Sequence, residues 1–134
     1  MKLAALAAHL RSGLWGEEQA ATLLAAKGYR ILGRRVRIGT RDEIDLVARD
    51  GSVLVFVEVK TRKSEDFGSP ASAVDRAKRH ALSRAAVRYL KKLKDPRVYF
   101  RFDVVEVVGQ PGDSAPAVRH LPNAFTLDRC YNLP

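Results

Sequence analysis

The stretch Ser52–Lys60 (SVLVFVEVK) constrains the fold more than any other part of the chain. It is rich in β-branched residues, and between Val53 and Val57 no polar residue interrupts the apolar run. Such a strand needs cover on both faces, which puts it in the middle of a sheet. The run is far shorter than the ~20 residues of a membrane-crossing helix. Just before it, Asp50-Gly51 is a hairpin-turn signal, so Glu43–Ala48 (EIDLVA) reads as its antiparallel partner.

The flanking segments supply the layers. Gly13–Ala26 reads as a helix with Leu14, Ala20, Ala21, Leu23 and Leu24 on its apolar side and Gly28 as its stop. Glu17 and Glu18 fall in the first turn of that helix, where acids suit the positive end of its dipole. Tyr29–Val36 reads as a basic strand. After a loop over Thr61–Pro70, punctuated by Gly68 and Pro70, a second helix is predicted from Ala73 to Leu93. Its apolar stripe is Val74, Ala77, Ala81, Ala85, Tyr89 and Leu93, widened by Leu82, Ala86 and Leu90. Asp95-Pro96 ends it. Arg97–Val108 is a long strand, with a short Val118–Leu121 segment beside it. The expected architecture is α/β: a mixed central sheet flanked by helices.

At 134 residues the chain fits one domain with its own core. The organisation expected is a short leader over residues 1–12, helical or loose, followed by a single domain over 13–134. His9 and Arg11 break the apolar stretch of that leader, against a signal peptide, so a cytoplasmic protein is expected. Cys130 is the single cysteine, which excludes an internal disulfide framework and a four-thiolate zinc site.

Charge points to a partner. Lys and Arg number 24 against 15 acids, a formal net charge of +9. The excess is segregated into residues 27–41 and 76–94, both free of acids. On the second helix Arg76, His80, Arg84, Arg88 and Lys92 recur every fourth residue, a stripe ~24 Å long at 1.5 Å per residue. A phosphate backbone is the commonest target of such a field. Arg76, Arg84 and Arg88, with Arg62 beyond the central strand, are the candidate nucleic-acid contacts. No large apolar face accompanies the charge, so a membrane partner is not expected.

The chemistry-bearing residues lie on the hairpin. Asp45 sits on one strand, and Glu58-x-Lys60 ends the other. Carboxylates at the edge of an apolar sheet are costly to bury without a partner. Mg²⁺ or Mn²⁺ held by Asp45 and Glu58, with the backbone carbonyl of Val59, would offset that cost. Lys60 would orient the attacking water or stabilise charge on a phosphate. This set suits phosphodiester hydrolysis. The spacing alone equally allows an ion-pair cluster, Glu58 to Lys60 or Arg62, closing the sheet edge.

The blocks GEEQAATLL (Gly16–Leu24), KGYRIL (Lys27–Leu32), DEIDLVARDG (Asp42–Gly51), VFVEVKTR (Val55–Arg62), FGSP (Phe67–Pro70), RFDVV (Arg101–Val105) and HLPNAF (His120–Phe125) together closely resemble the YraN-like family of small bacterial proteins. That family is assigned to the restriction-endonuclease-like superfamily with its PD-(D/E)xK motif. The resemblance implies an αβββαβ core and a likeness to archaeal Holliday-junction resolvases. It places the motif on Asp45, Glu58 and Lys60, adds Glu17 as a further acid near the metal, and marks Lys78 for phosphate contact. The family usually has glycine where this chain has Asp42.

The expected function is a metal-dependent endonuclease acting on DNA, branched DNA included, with a homodimer as the expected assembly. The alternative is a nucleic-acid-binding module of the same fold without turnover. His9, His80 and His120 are too scattered to suggest a metal site. Trp15 and Tyr89 are expected in the core, and Asp103 is expected to pair with Arg101.

Overall fold

The structure is a computed structural model that describes residues 2–63, 74–94 and 97–127. The elements run α1 (Lys2–Ala26), β1 (Arg30–Ile38), β2 (Asp42–Asp50), β3 (Val53–Arg62), α2 (Arg76–Lys91), β4 (Tyr99–Val108) and β5 (Ala117–Phe125). They build one mixed sheet in the order β1-β2-β3-β4-β5. β3 and β4 are parallel, joined through α2, and the other neighbours are antiparallel.

β3 holds the centre, as its apolar run requires. Leu54 and Phe56 point into a core beneath α2, formed with Ile38, Ile44, Val47, Leu82, Ala86, Leu90, Phe102 and Val104. Val55 and Val57 point the other way, into a core beneath α1 with Ala20, Ala21, Leu24, Leu46, Ala48, Val105 and Val107. The molecule is therefore a three-layered α/β structure, and β3 is buried on both faces from Leu54 to Val57. Trp15 packs against the second core and Tyr89 against the first, as expected.

Several expectations need correction. α1 begins at Lys2 rather than at the predicted Gly13, and residues 2–12 form the mostly exposed start of the same helix. Glu17 and Glu18 consequently sit mid-helix, away from the first turn, where Arg35 and Arg34 pair with them. Leu14 is 47% exposed rather than packed. The helix stops as predicted: Gly28 has φ +91, which favours glycine, and Tyr29 N–H reaches back to the Leu24 carbonyl at 2.9 Å. On α2 the buried face is Leu82, Ser83, Ala85, Ala86, Val87 and Leu90, while Ala77 and Leu93 are exposed. β5 runs to Phe125, beyond the predicted Leu121. Gly68, Pro70, Asp95, Pro96 and Cys130 lie outside the described residues. Among the described residues no helix is long and apolar enough to cross a membrane.

Candidate active site at the fork between β2 and β3

The β2–β3 ladder runs from Asp50↔Val53 to Leu46↔Val57 and stops, although β2 extends to Asp42 and β3 to Arg62. Beyond that point β2 stays with β1, as far as Asp42↔Ile38. The strands therefore part at Asp45 and Glu58. Side-chain facing changes at the same place. Ile44 joins the core beneath α2 and Leu46 the core beneath α1, where strict alternation would put them together. Asp45 Oδ2 accepts the Val59 N–H at 2.9 Å, giving that amide an acceptor where the ladder has ended.

Glu58 is buried at the end of the apolar run. Its Oε1 lies 3.4 Å from Lys78 Nζ on α2, and its buried Oε2 has no hydrogen-bond partner among the described residues. Burial, and then the charge of Asp45, push the Glu58 carboxyl up to about 8 against the pull of Lys78. Burial also raises Asp45 above the ordinary carboxylate range; the Val59 N–H opposes this and the charge of Glu17 adds to it.

The fork opens on a cleft of about 1150 Å³ whose lining includes Glu17, Arg35, Asp45, Glu58, Val59 and Lys60. The fold thus brings Asp45, Glu58, Lys60 and Glu17 into one cleft. Lys60 is exposed there. Glu17 reaches the cleft from the middle of α1 and is held by Arg35, whose Nε and Nη2 donate to its two oxygens at 2.7 and 3.0 Å. Arg35 adopts the left-handed region, φ 47, within β1.

Asp45 and Glu58 form a donor set that fits a hard divalent cation. Both carboxyls resist ionisation as they stand, and one oxygen of Glu58 is buried without a hydrogen-bond partner among the described residues. Among the described residues no group of three or more His, Cys, Asp and Glu side chains forms a metal site, so the set is this pair rather than a triad with Glu17.

The candidate phosphate contacts divide. Arg76 and Arg88 are exposed on α2, and Lys78 faces Glu58. Arg84 is different: its Nε and Nη2 donate to both oxygens of Asp42, at 2.8 and 2.6 Å, tying α2 to the start of β2. The hydrogen bonds from Arg84 hold the Asp42 carboxyl below its usual range despite burial. The aspartate that departs from the family pattern is thus one half of an interlayer clamp, and the basic stripe is interrupted at Arg84. Arg62 is also largely buried, 3.4 Å from the buried Glu106. The Glu58–Lys60 or Glu58–Arg62 pairing is replaced by Glu58–Lys78.

Sequence reasoning missed two parts of this cleft. Arg35 was hidden inside a run of arginines, with nothing to mark which one turns back onto Glu17. The first half of α1, through Ala5, Leu6, Ala8, His9 and Leu10, forms a wall of the cleft, and the regular leucine spacing there was the available signal.

The pattern of the uncharacterised protein family UPF0102 matches residues 16–107, a span that contains Glu17, Asp45, Glu58 and Lys60. A UPF0102 protein of Symbiobacterium thermophilum is 50% identical over 116 residues, covering 86% of this chain and 96% of the relative. One from Chlorobaculum tepidum is 45% identical over 119 residues, 86% of this chain and 92% of the relative. One from Syntrophotalea carbinolica is 44% identical over 119 residues, 89% and 94% of the two chains. With a family match over most of its length and relatives this similar over 86% or more of it, the chain belongs to the UPF0102, or YraN-like, family.

Proposed function

We propose that the protein is a metal-dependent endonuclease that hydrolyses phosphodiester bonds of DNA at the β2–β3 fork. The observation that carries this reading is half-buried Asp45 beside buried Glu58, with a Glu58 oxygen lacking a hydrogen-bond partner among the described residues, opening beside Lys60 into one cleft. Asp45 and Glu58, with the Val59 carbonyl, would hold Mg²⁺ or Mn²⁺. Such an ion, when bound, supplies an acidified water and neutralises charge on the phosphate. Lys60 holds the attacking water or a non-bridging phosphate oxygen from the open side of the cleft. Val59 N–H fixes the Asp45 carboxylate, and Lys78 fixes that of Glu58. Water adds to phosphorus as a bridging P–O bond breaks, leaving a phosphate on one strand end and a hydroxyl on the other.

A second reading has its own observation. Glu17 is occupied by Arg35, so it does not complete a three-acid metal site, and a non-catalytic nucleic-acid-binding module would need none. Cleavage assays on four-way junction, flap, linear duplex and single-stranded DNA with Mg²⁺ or Mn²⁺ separate the two. The nuclease reading expects product that disappears with EDTA and in the Asp45→Asn and Lys60→Ala variants. Tight binding with no metal-dependent product would leave the binding module.

A further inference from the structure

α1 is 25 residues long, ~37 Å, yet only its second half is packed. Its buried residues are Gly16, Ala20, Ala21 and Leu24. Towards the N-terminus Leu3, Leu6, Leu10 and Leu14 recur at spacings of three and four, with exposures of 82, 64, 49 and 47%. Leu3 and Leu10 are whole heptads from Leu24, and Leu14 is one heptad from Ala21, so the leucines continue the face that packs on the sheet. The apolar face runs on past the sheet edge as an overhang. Leu6 and Leu10 line the same cleft as Asp45, Glu58 and Lys60, and Pro111 is also in its lining.

Resting on the nuclease reading above, we propose that this cleft takes a nucleic-acid strand with unpaired bases. Leu6 and Leu10 lie against the exposed base faces, while Lys60 and Lys63 meet the phosphates. The occupant must be anionic and must also present apolar surface. Lys60, Lys63 and Arg11 are exposed in the cleft lining, and the chain carries a net charge of +9. A paired duplex offers phosphates but hides its base faces. An unstacked strand offers both, and apolar side chains are used as wedges against such bases. A second copy of the chain would cover the leucines but would bring the same net positive charge against these lysines.

The test compares binding of the full chain to a labelled thymine oligonucleotide and to an abasic oligonucleotide of the same length and charge. The expected result is roughly tenfold tighter binding to the thymine strand, since the abasic strand keeps the phosphates and lacks the base faces that the leucines would cover. The Leu6→Gln/Leu10→Gln variant, uncharged and helix-compatible, should bind both strands alike and keep the salt dependence of the native chain. Equal binding of the two strands by the native protein, or a preference that survives in the variant, overturns the proposal. So does a native dimer in sedimentation that the variant converts to monomer while base preference persists, because the leucines then belong to a second copy. Cleavage assayed in parallel keeps the two claims apart. Metal-dependent cutting without base preference sinks only the unpaired-base inference. Base preference without cutting on any DNA sinks only the nuclease reading.

Discussion

Glu58 carries a cost that its surroundings do not relieve. Lys78, 3.4 Å away, is nearly half exposed, while one carboxylate oxygen is buried with no hydrogen-bond partner among the described residues. Its carboxyl titrates at about 8 in the folded chain and near 4.3 unfolded. Below the unfolded value both states are protonated and the group is neutral to stability. As pH rises from about 4.3 to about 8, the unfolded chain releases its proton first and stability drains away. Glu58→Gln should therefore raise the melting temperature of the metal-free protein, by an amount that grows over this window and is flat above it. The gain is expected to be at most a few kcal/mol, and on the nuclease reading proposed above metal-dependent cleavage should be lost. A pH series of thermal melts, native against variant, checks it. Asp42 has the opposite sign. Arg84 holds its carboxyl low, so its contribution is full above the ordinary carboxylate range and fades as pH falls through the depressed value. Arg84→Gln should cost about 1–3 kcal/mol, because it leaves Asp42 buried without its donors. On the proposed reading that the chain binds DNA, it should leave the slope of affinity against salt unchanged, while Arg88→Gln, at an exposed position, lowers that slope by about 1.

Among the elements, α1 decides how wide the cleft stands. Gly16 is the contact that seats it: a Cβ there would fall 1.9 Å from Thr61 Oγ1 and 3.1 Å from Thr61 Cβ on β3. No rotation of Thr61 removes the second of these. Gly16→Ala should destabilise by about 1–3 kcal/mol through overpacking and shift Glu17 relative to Asp45. Thermal melts of this variant and of Gly16→Ala/Thr61→Ala check it, the second recovering part of the loss. The same elements mark how far the sequence could be read. β3 was legible because an unbroken apolar run has one architectural solution, and the meeting of Asp45, Glu58 and Lys60 in one cleft was legible because Glu58 and Lys60 follow that run and Asp45 lies on its hairpin partner. What failed were contacts across long sequence separation. Arg84 looked like a member of a periodic stripe, and only the fold reveals Asp42 beneath it. Glu17 looked like a helix-start acid because Gly13 and Ser12 resemble a boundary, whereas the helix runs through them from Lys2.

Across the whole molecule, one buried clamp lies apart from the cleft. Beyond the C-terminal end of α1, Asp103 is fully buried between the Arg101 guanidinium at 3.0 Å, His120 Nε2 at 2.7 Å and the Asn123 N–H at 2.9 Å. Lys27 contacts the other His120 nitrogen at 2.9 Å, and Arg101 also reaches Tyr29 and Asp50. One carboxylate thus joins β4 to β5 and, through its partners, to the end of α1 and the β2–β3 turn. Burial alone would raise its titration, but the hydrogen bonds from His120, Asn123 and Arg101 outweigh it and hold the carboxyl low. Cleft residues come from the other half of α1 and from the fork, and none of these clamp residues lines the cleft. A chain that isolates its costly, poorly paired carboxylates at one end needs well-paired ones elsewhere, since native stability is only about 5–15 kcal/mol. Asp103→Asn should accordingly lower stability by about 2–3 kcal/mol, most strongly at neutral pH where the native carboxylate is charged. At temperatures where the variant remains folded, the DNA binding and metal-dependent cleavage proposed for the native chain should be matched by the variant. Denaturant melts read beside binding isotherms decide it, and a variant that loses binding while still folded would show that clamp and cleft act as one unit.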